Sequence, residues 1–232
     1  MKLFVVVILI IVCNFNSQGQ KIETIKITGA EYPEFINKYE YKFPAYTRAK
    51  IALKNGDIAY ARINYNNFFN TLKYIDGKGD TMEIANAEEI AYINAGLDTL
   101  FYENGYYEWV ASSGLARLVV RRAYKEGPRA LVGAFGTASP AQNVVTAPRV
   151  SIDGLASHKL NPNEQIAIIK ETTFYINNLN NPKIGFVLAT KKNIDKLFPK
   201  LKVQDFIDEN KLNLNKEEDL IDVMVYISNK KN

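Results

Sequence analysis

Aromatic side chains are concentrated in one short stretch of the chain, where they could form a binding surface. Residues 101–110 hold two aromatic runs around Glu103-Asn104-Gly105, a pattern typical of a β-hairpin. Because alternate residues of a strand share a face, some of these rings must lie side by side and could stack on sugars or pack on a protein. Cross-strand pairing within the core is the competing interpretation. The residues predicted for this ligand or partner surface are Tyr102, Tyr106, Tyr107 and Trp109.

Basic residues follow on the next predicted strand, and they suggest binding of anionic groups by Arg117, Arg121 and Arg122. Arg117 and Arg121 are two strand periods apart, so we expect them on one face, where they could meet phosphate groups or an acidic partner. A charged strand that protects a sheet edge would give the same pattern. The formal net charge is only +4, so no nucleic-acid partner is expected.

The residues that most often perform catalysis are scarce. His158 is the single histidine and Cys13 the single cysteine, which excludes zinc sites of the Cys/His type and disulfide scaffolds. A Cys-His nucleophile pair would have to use Cys13, which cleavage of the predicted signal peptide removes. A Ser-His-Asp site would have to use His158, but the sequence has no Gly-x-Ser-x-Gly motif and His158 lies next to turn residues. We therefore interpret His158 as a surface residue.

Clustered carboxylates also have structural explanations. Glu88 and Glu89 are neighbours that would point to opposite faces of a strand, and residues 217–219 are acidic at a predicted helix start. The segment Asp76-Gly77-Lys78-Gly79-Asp80 lacks the order of a calcium loop and is predicted to be a hairpin turn. No catalytic residue, metal site or cofactor is predicted.

The first residues are typical of a secretory signal peptide. Lys2 precedes an apolar run from Leu3 to Val12, which is shorter than the roughly 20 residues of a membrane span. We predict a signal peptide over residues 1–19, with cleavage between Gly19 and Gln20. Lipidation of Cys13 is not expected, because the bulky Val12 precedes it. The protein is predicted to be exported, periplasmic or extracellular, without a transmembrane span in the mature chain but able to associate peripherally with the outer membrane.

Short β-type runs alternate with turn signals from about residue 50 to residue 124, and the period changes near the end of the chain. Residues 20–186 are predicted to form a β-rich domain, with a long Gly/Ala/Ser/Pro loop over residues 127–148. Thr190 could cap one helix, and a capping box at residues 215–218 could start another, within a helical segment over residues 187–232. The predicted fold class is α+β: an antiparallel β-meander or sandwich-like domain followed by two or three C-terminal helices.

A family resemblance is carried by the run from Lys50 to Asn66, an apolar strand, an Asn-Gly turn and a strand ending in Tyr-Asn. This run resembles the opening of exported Bacteroidota proteins of unknown function, which begin with a signal peptide cut before Gln and often end in a helical tail. The resemblance implies an envelope or extracellular setting and no particular reaction.

These patterns favour a non-enzymatic, exported cell-envelope protein that binds a protein partner or acts as an accessory factor. Extended antiparallel strands offer edges for strand addition, and amphipathic terminal helices suit docking to an envelope or secreted protein. The alternative is a carbohydrate-binding protein, or a carboxylate-based glycoside hydrolase, that uses the aromatic hairpin 101–110 to bind a glycan.

Overall fold

The computed structural model describes residues 19–132, 138–140, 162 and 164–230. Within these residues the chain is an α+β protein with one large antiparallel sheet, which confirms the predicted class and the β-rich character. The strands are β1 (Gln20–Thr28), β2 (Thr47–Leu53), β3 (Ile58–Asn66), β4 (Thr71–Ile75), β5 (Thr81–Glu83), β6 (Ile90–Ala95), β7 (Asp98–Tyr102), β8 (Tyr106–Ser112), β9 (Ala116–Val132), β10 (Ala138–Pro140), β11 (Glu164–Asn178) and β12 (Val187–Leu188). The helices are α1 (Tyr32–Tyr39), α2 (Lys191–Leu197), α3 (Val203–Glu209) and α4 (Glu217–Asn229).

The strand order is β1-β11-β9-β8-β7-β6-β2-β3-β4-β5, with β10 paired to β9 and β12 to β11. Consecutive strands are neighbours in two blocks, β2 to β5 and β6 to β9, and the Asn-Gly turn at residues 55–56 joins β2 and β3 as predicted. A non-local pairing of β2 with β6 connects the blocks. The sheet is therefore larger than a single local meander.

Strands β9 and β11 are much longer than the sequence pattern suggested. They pair over most of their length, and β9 continues to Val132, so the loop predicted over residues 127–148 does not begin at Gly127. Gly127 lies within this strand, where a β-carbon would be 3.1 Å from the Ile169 side chain and 3.2 Å from the Ala167 carbonyl oxygen, so a larger residue would crowd β11. The remainder of that loop outside β10 lies beyond the described residues, as do His158, Cys13 and residues 1–18 of the predicted signal peptide.

The N-terminal part of the described chain adds one edge strand and one helix. Strand β1 pairs with β11, and Gly19 and Gln20, which flank the predicted cleavage point, lie at its start. The backbone N–H of Gln20 donates to Asn215 Oδ1 at 3.0 Å. Helix α1 buries Phe35 and Ile36 against an apolar cluster that β1 and β11 share.

Three C-terminal helices cover the end of β9 and β11. Thr190 caps α2 as predicted, accepting a hydrogen bond from the Asn193 backbone N–H at 3.2 Å. The predicted capping box before α4 is wrong, because Lys216 occupies the N-cap and no side chain caps this helix start. The α4 positions that the sequence pattern identified as apolar are all buried: Leu220, Val223, Met224 and Ile227. No helix among the described residues is long and apolar enough to cross a membrane.

The sheet curls so that strands far apart in its order meet again. Four strands separate β3 from β9, yet the Tyr124 backbone N–H donates to the Asn67 carbonyl at 3.0 Å. The rings of Tyr65 and Tyr106 also meet, with centroids 6.0 Å apart. This curl encloses a second apolar core around Ile63, separate from the core under the C-terminal helices.

An ion-pair network around the buried Glu108 connects these parts of the chain. The Glu108 carboxylate accepts from Lys42 at 2.9 Å and from Arg122 at 2.6 Å. Lys42 also lies 3.4 Å from Asp98, and Arg122 contacts Glu217 of α4 at 2.7 Å. One carboxylate on β8 therefore links the chain before β2, strand β9 and the first turn of α4.

Replacing Glu108 by Gln should lower the free energy of unfolding by about 2–4 kcal/mol, because a neutral amide leaves two partly buried cations without their counter-charge. Glu23 is the matched control, since it also contacts two lysines, Lys21 at 2.8 Å and Lys170 at 3.3 Å, but on an exposed edge strand. Glu23→Gln should cost less than about 1 kcal/mol. Urea denaturation of both variants measures the difference, and equal losses would contradict the structural role of the network.

Candidate functional site

A cleft of about 470 Å³ lies where the β7–β8 turn faces β4, β5 and the turn before β4. The curl of the sheet creates it, because these strands are distant in the sheet order. The lining residues are Phe69, Asn70, Thr71, Leu72, Glu83, Ile84, Ala85, Ala87, Tyr102, Asn104, Gly105, Tyr106 and Arg121.

Three of the seven residues singled out from the sequence meet in this cleft: Tyr102, Tyr106 and Arg121. Tyr102 and Tyr106 pair directly across the hairpin, and their rings meet edge to face with centroids 5.0 Å apart. Tyr106 is buried, whereas Tyr102 is half-buried. The aromatic hairpin therefore contributes one wall of the cleft.

The other two predicted aromatic residues lie elsewhere. Tyr107 alternates with Tyr106 and is buried against Tyr175 and Phe186, with ring centroids 4.9 and 5.0 Å away. Trp109 is 47% exposed, and its indole N–H donates to Ser112 Oγ at 2.8 Å. The four aromatic residues do not form one flat surface, because consecutive residues of a strand point to opposite faces.

The remaining two predicted arginines are engaged within the protein. The Arg117 guanidinium lies 4.1 Å from the centre of the Phe101 ring, and burial lowers the pKa of Arg117. Arg122 forms ion pairs with Glu108 and Glu217. Neither residue lines the cleft, so Arg121 is the one member of the basic set that does.

The Arg121 side chain is held by aromatic and backbone contacts. Its guanidinium carbon lies 4.3 Å from the centre of the Tyr107 ring, and Nε donates to the Tyr106 carbonyl at 3.4 Å. The Nη2 atom lies against Gly105, where a β-carbon would be only 2.6 Å away. Gly105 has φ +129°, so both its backbone and its neighbour favour glycine.

Two buried polar atoms, each in a residue that lines the cleft, have no hydrogen-bond partner among the described residues. They are Arg121 Nη2 and Thr71 Oγ1; the described residues hold one further buried side-chain atom of this kind, Asn177 Oδ1. An unsatisfied buried polar group costs about 1–3 kcal/mol, and native proteins keep few of them. Both cleft atoms are donors, so a ligand that supplies acceptor oxygens would satisfy them.

Several cleft residues gave no functional signal in the sequence. Asn70 and Asn104 hold left-handed turn positions, with φ of 54° and 52°, which explains their residue type without a ligand. Glu83 ends β5, and Thr71 begins β4. In the sequence, the asparagines next to a strand end are the one local signal of these turn positions. No local sequence signal indicates that the two turns lie close together.

Tyr106 and Tyr65 remain protonated at neutral pH. Burial, with neighbouring Tyr102 and Glu83 adding to it, raises the pKa of Tyr106 above its ordinary value of 10.0. Burial also raises the pKa of Tyr65, which the Arg121 charge opposes and the Glu108 charge reinforces. The Tyr65 hydroxyl donates to Asn70 Oδ1 at 3.1 Å and so supports the cleft wall. These phenols act as hydrogen-bonding groups and not as bases.

The arrangement favours ligand binding through hydroxyl, amide and guanidinium groups. Among the described residues that line the cleft, Glu83 supplies the single carboxylate. The described part of the chain holds no cluster of three metal-ligating side chains. No protein-family model, curated protein or solved structure matches the chain.

The raised pKa of Tyr65 predicts a loss of stability in alkali. The folded state holds this proton more tightly than the unfolded chain, so its contribution is complete below about pH 10 and declines above it. Tyr65→Phe removes the titrating group, so the variant should lose about 1 kcal/mol less than the parent protein between pH 10 and 11. Tyr60→Phe, on the same strand but 66% exposed, is the control and should follow the parent protein. Denaturant titrations at each pH test this, and parallel pH profiles for parent and Tyr65→Phe would contradict it.

Proposed function

We propose that this protein is a non-enzymatic, exported cell-envelope protein that binds a saccharide in the cleft at the β7–β8 turn. The observation that carries this proposal is that Thr71 and Arg121, which both line this cleft, each hold a buried donor, Oγ1 and Nη2, without a partner among the described residues. A ligand rich in acceptor oxygens would remove the cost of leaving these donors unsatisfied.

The chemistry of the lining supports a saccharide as the ligand. Sugar hydroxyls both donate and accept, and Asn70, Asn104 and Glu83 offer amide and carboxylate partners for them. The Tyr102 ring supplies a half-buried apolar surface of the type on which sugar rings pack. A few polar groups set among apolar walls are typical of small-ligand sites.

Binding is favoured over glycoside hydrolysis by the charge content of the cleft. Hydrolysis in most glycosidases uses two carboxyl groups that flank the scissile bond. Glu83 is the single acidic residue among the described residues that line the cleft, and Glu108 is engaged by Lys42 and Arg122. The proposal therefore assigns Glu83 a hydrogen-bonding role.

Protein-partner binding is a second candidate function, and the outward row of β3 favours it. Ile58 and Tyr60 alternate on this strand and are 52% and 66% exposed. Exposed apolar side chains in a row suit contact with another envelope or secreted protein, and with peripheral attachment to the outer membrane. This surface is distinct from the cleft, so the two functions can be tested separately.

The saccharide proposal predicts that a polysaccharide panel contains a ligand that raises the melting temperature, with Thr71→Val reducing the shift. Thr71→Val keeps the side-chain shape and removes a hydroxyl without a partner, so the unliganded protein should fold normally. Thr81→Val, on exposed β5, is the control and should keep the full shift. If no glycan shifts the melting temperature, or if Thr71→Val leaves the shift intact, the proposal fails.

The partner proposal predicts that an envelope protein co-purifies with the native chain and is lost when Ile58 and Tyr60 are both changed to Ser. Val225→Ser is the control, since Val225 is 52% exposed on α4, away from β3. Quantitative mass spectrometry of the purified material measures the loss. Recovery of the same partner with the β3 double variant would exclude this surface.

A further inference from the structure

We infer that the saccharide bound in the cleft carries a carboxylate, as uronic acids do, and that the Arg121 guanidinium contacts it. This inference rests on the proposed function and specifies the ligand of the same site. The inference depends on three observations: the contacts that hold Arg121, the donor atoms that have no partner, and the presence of Glu83 in the same cleft.

Arg121 is fixed in position without an ion-pair partner among the described residues. In the described part of the chain, Arg122 and Arg129 both lie within ion-pair distance of acidic side chains, whereas the structure gives Arg121 a ring contact at Tyr107 and the Tyr106 carbonyl. Stacking and a neutral acceptor orient the guanidinium but leave its charge uncompensated. A carboxylate from outside would supply what the protein does not.

The free donors match a carboxylate. A planar guanidinium offers two parallel N–H groups to the two oxygens of a carboxylate, and Nη2 is the Arg121 donor without a partner. The Thr71 hydroxyl, also without a partner, can donate to the same group or to a ring oxygen. The remaining polar groups, Asn70 and Asn104, are left for sugar hydroxyls.

Glu83 argues against a more highly charged ligand. Its carboxylate lines the same cleft as Arg121, so a doubly charged phosphate would be repelled more strongly than a singly charged carboxylate. A uronic acid can place its carboxylate at Arg121 and a hydroxyl donor toward Glu83. The cleft thus carries one positive and one negative group, as a monoanionic polyhydroxylated ligand requires.

The turn at Gly105 controls access to Nη2. Because Nη2 is buried and lies against Gly105, a ligand that reaches it must shift the Asn104-Gly105 turn, whose residues lie at positive φ. A β-carbon at residue 105 would lie 2.6 Å from Nη2 and would displace the guanidinium. Gly105→Ala should therefore weaken recognition of the carboxylate while keeping every charge in the protein.

The test compares each acidic oligosaccharide with its methyl ester, which removes the charge and keeps the sugar. Oligogalacturonate, alginate and hyaluronan oligomers serve as probes, with calorimetry on the full chain. The parent protein should bind at least one acid form about tenfold more tightly than its ester, a difference typical of a charge-assisted hydrogen bond. Arg121→Gln should remove this preference and retain binding of the ester.

Arg117→Gln is the matched control. Arg117 also stacks on an aromatic ring of the β7–β8 hairpin, that of Phe101, but it lies outside the cleft. The Arg117→Gln variant should keep the preference of the parent protein for the acid form. Arg121→Lys is the second variant, for use if Arg121→Gln does not fold, because it keeps the positive charge. It should lose most of the preference for the acid form, because an ammonium group cannot form the bidentate pair with a carboxylate.

The outcomes distinguish failure of the saccharide-binding function from failure of the carboxylate inference. If the parent protein binds neither acids nor esters, nor any neutral glycan of the panel, the proposed function fails. If it binds acid and ester equally, or binds neutral glycans alone, the saccharide function stands and the carboxylate inference is overturned. A preference that survives in both Arg121 variants would overturn the role of Arg121.

Discussion

Pairing between β9 and β11 is the constraint on which the rest of the molecule depends. β9 lies between β11 and β8, so it joins the edge that carries β1 to the block of shorter strands. The inward side chains Leu118 and Val120 form part of the core under the C-terminal helices, whereas Tyr124 packs in the cluster with α1. A long strand can serve several cores because its period of two returns every second side chain to the same face along its whole length.

The same alternation explains how β9 contributes side chains both to the core and to the cleft. Leu118, Val120 and Arg122 point inward, where Arg122 meets Glu108 and α4. Arg117 and Arg121 lie on the other face and contact aromatic rings. The consecutive arginines therefore differ: Arg122 forms ion pairs with two carboxylates, whereas Arg121 has no ion-pair partner among the described residues and lines the cleft.

Local signals in the sequence predicted those parts of the fold that local interactions determine. The Asn-Gly turn, the hairpin around residue 104 and the Thr190 cap all follow from side chains acting on their own backbone. Strand β1, its pairing with β11 and the contact of β2 with β6 join residues far apart in the chain, where register depends on packing. The cleft was not predictable for the same reason: Tyr102 and Arg121 were identified by residue type, but Thr71 and Glu83 come to them only through the curl of the sheet.

Several features of the cleft are energetically unfavourable, and the surrounding structure holds them in place. Left-handed backbone at Asn70 and Asn104, together with unsatisfied Thr71 Oγ1 and Arg121 Nη2, would favour rearrangement of isolated turns. Here both turns are anchored by buried neighbours, since Leu72 follows one and Tyr106 the other. The apolar core around Ile63 and the Glu108 network hold these anchors in place. Because this support lies outside the cleft, a ligand that satisfies the two donors must shift the Asn104-Gly105 turn but does not have to order the strands that present them.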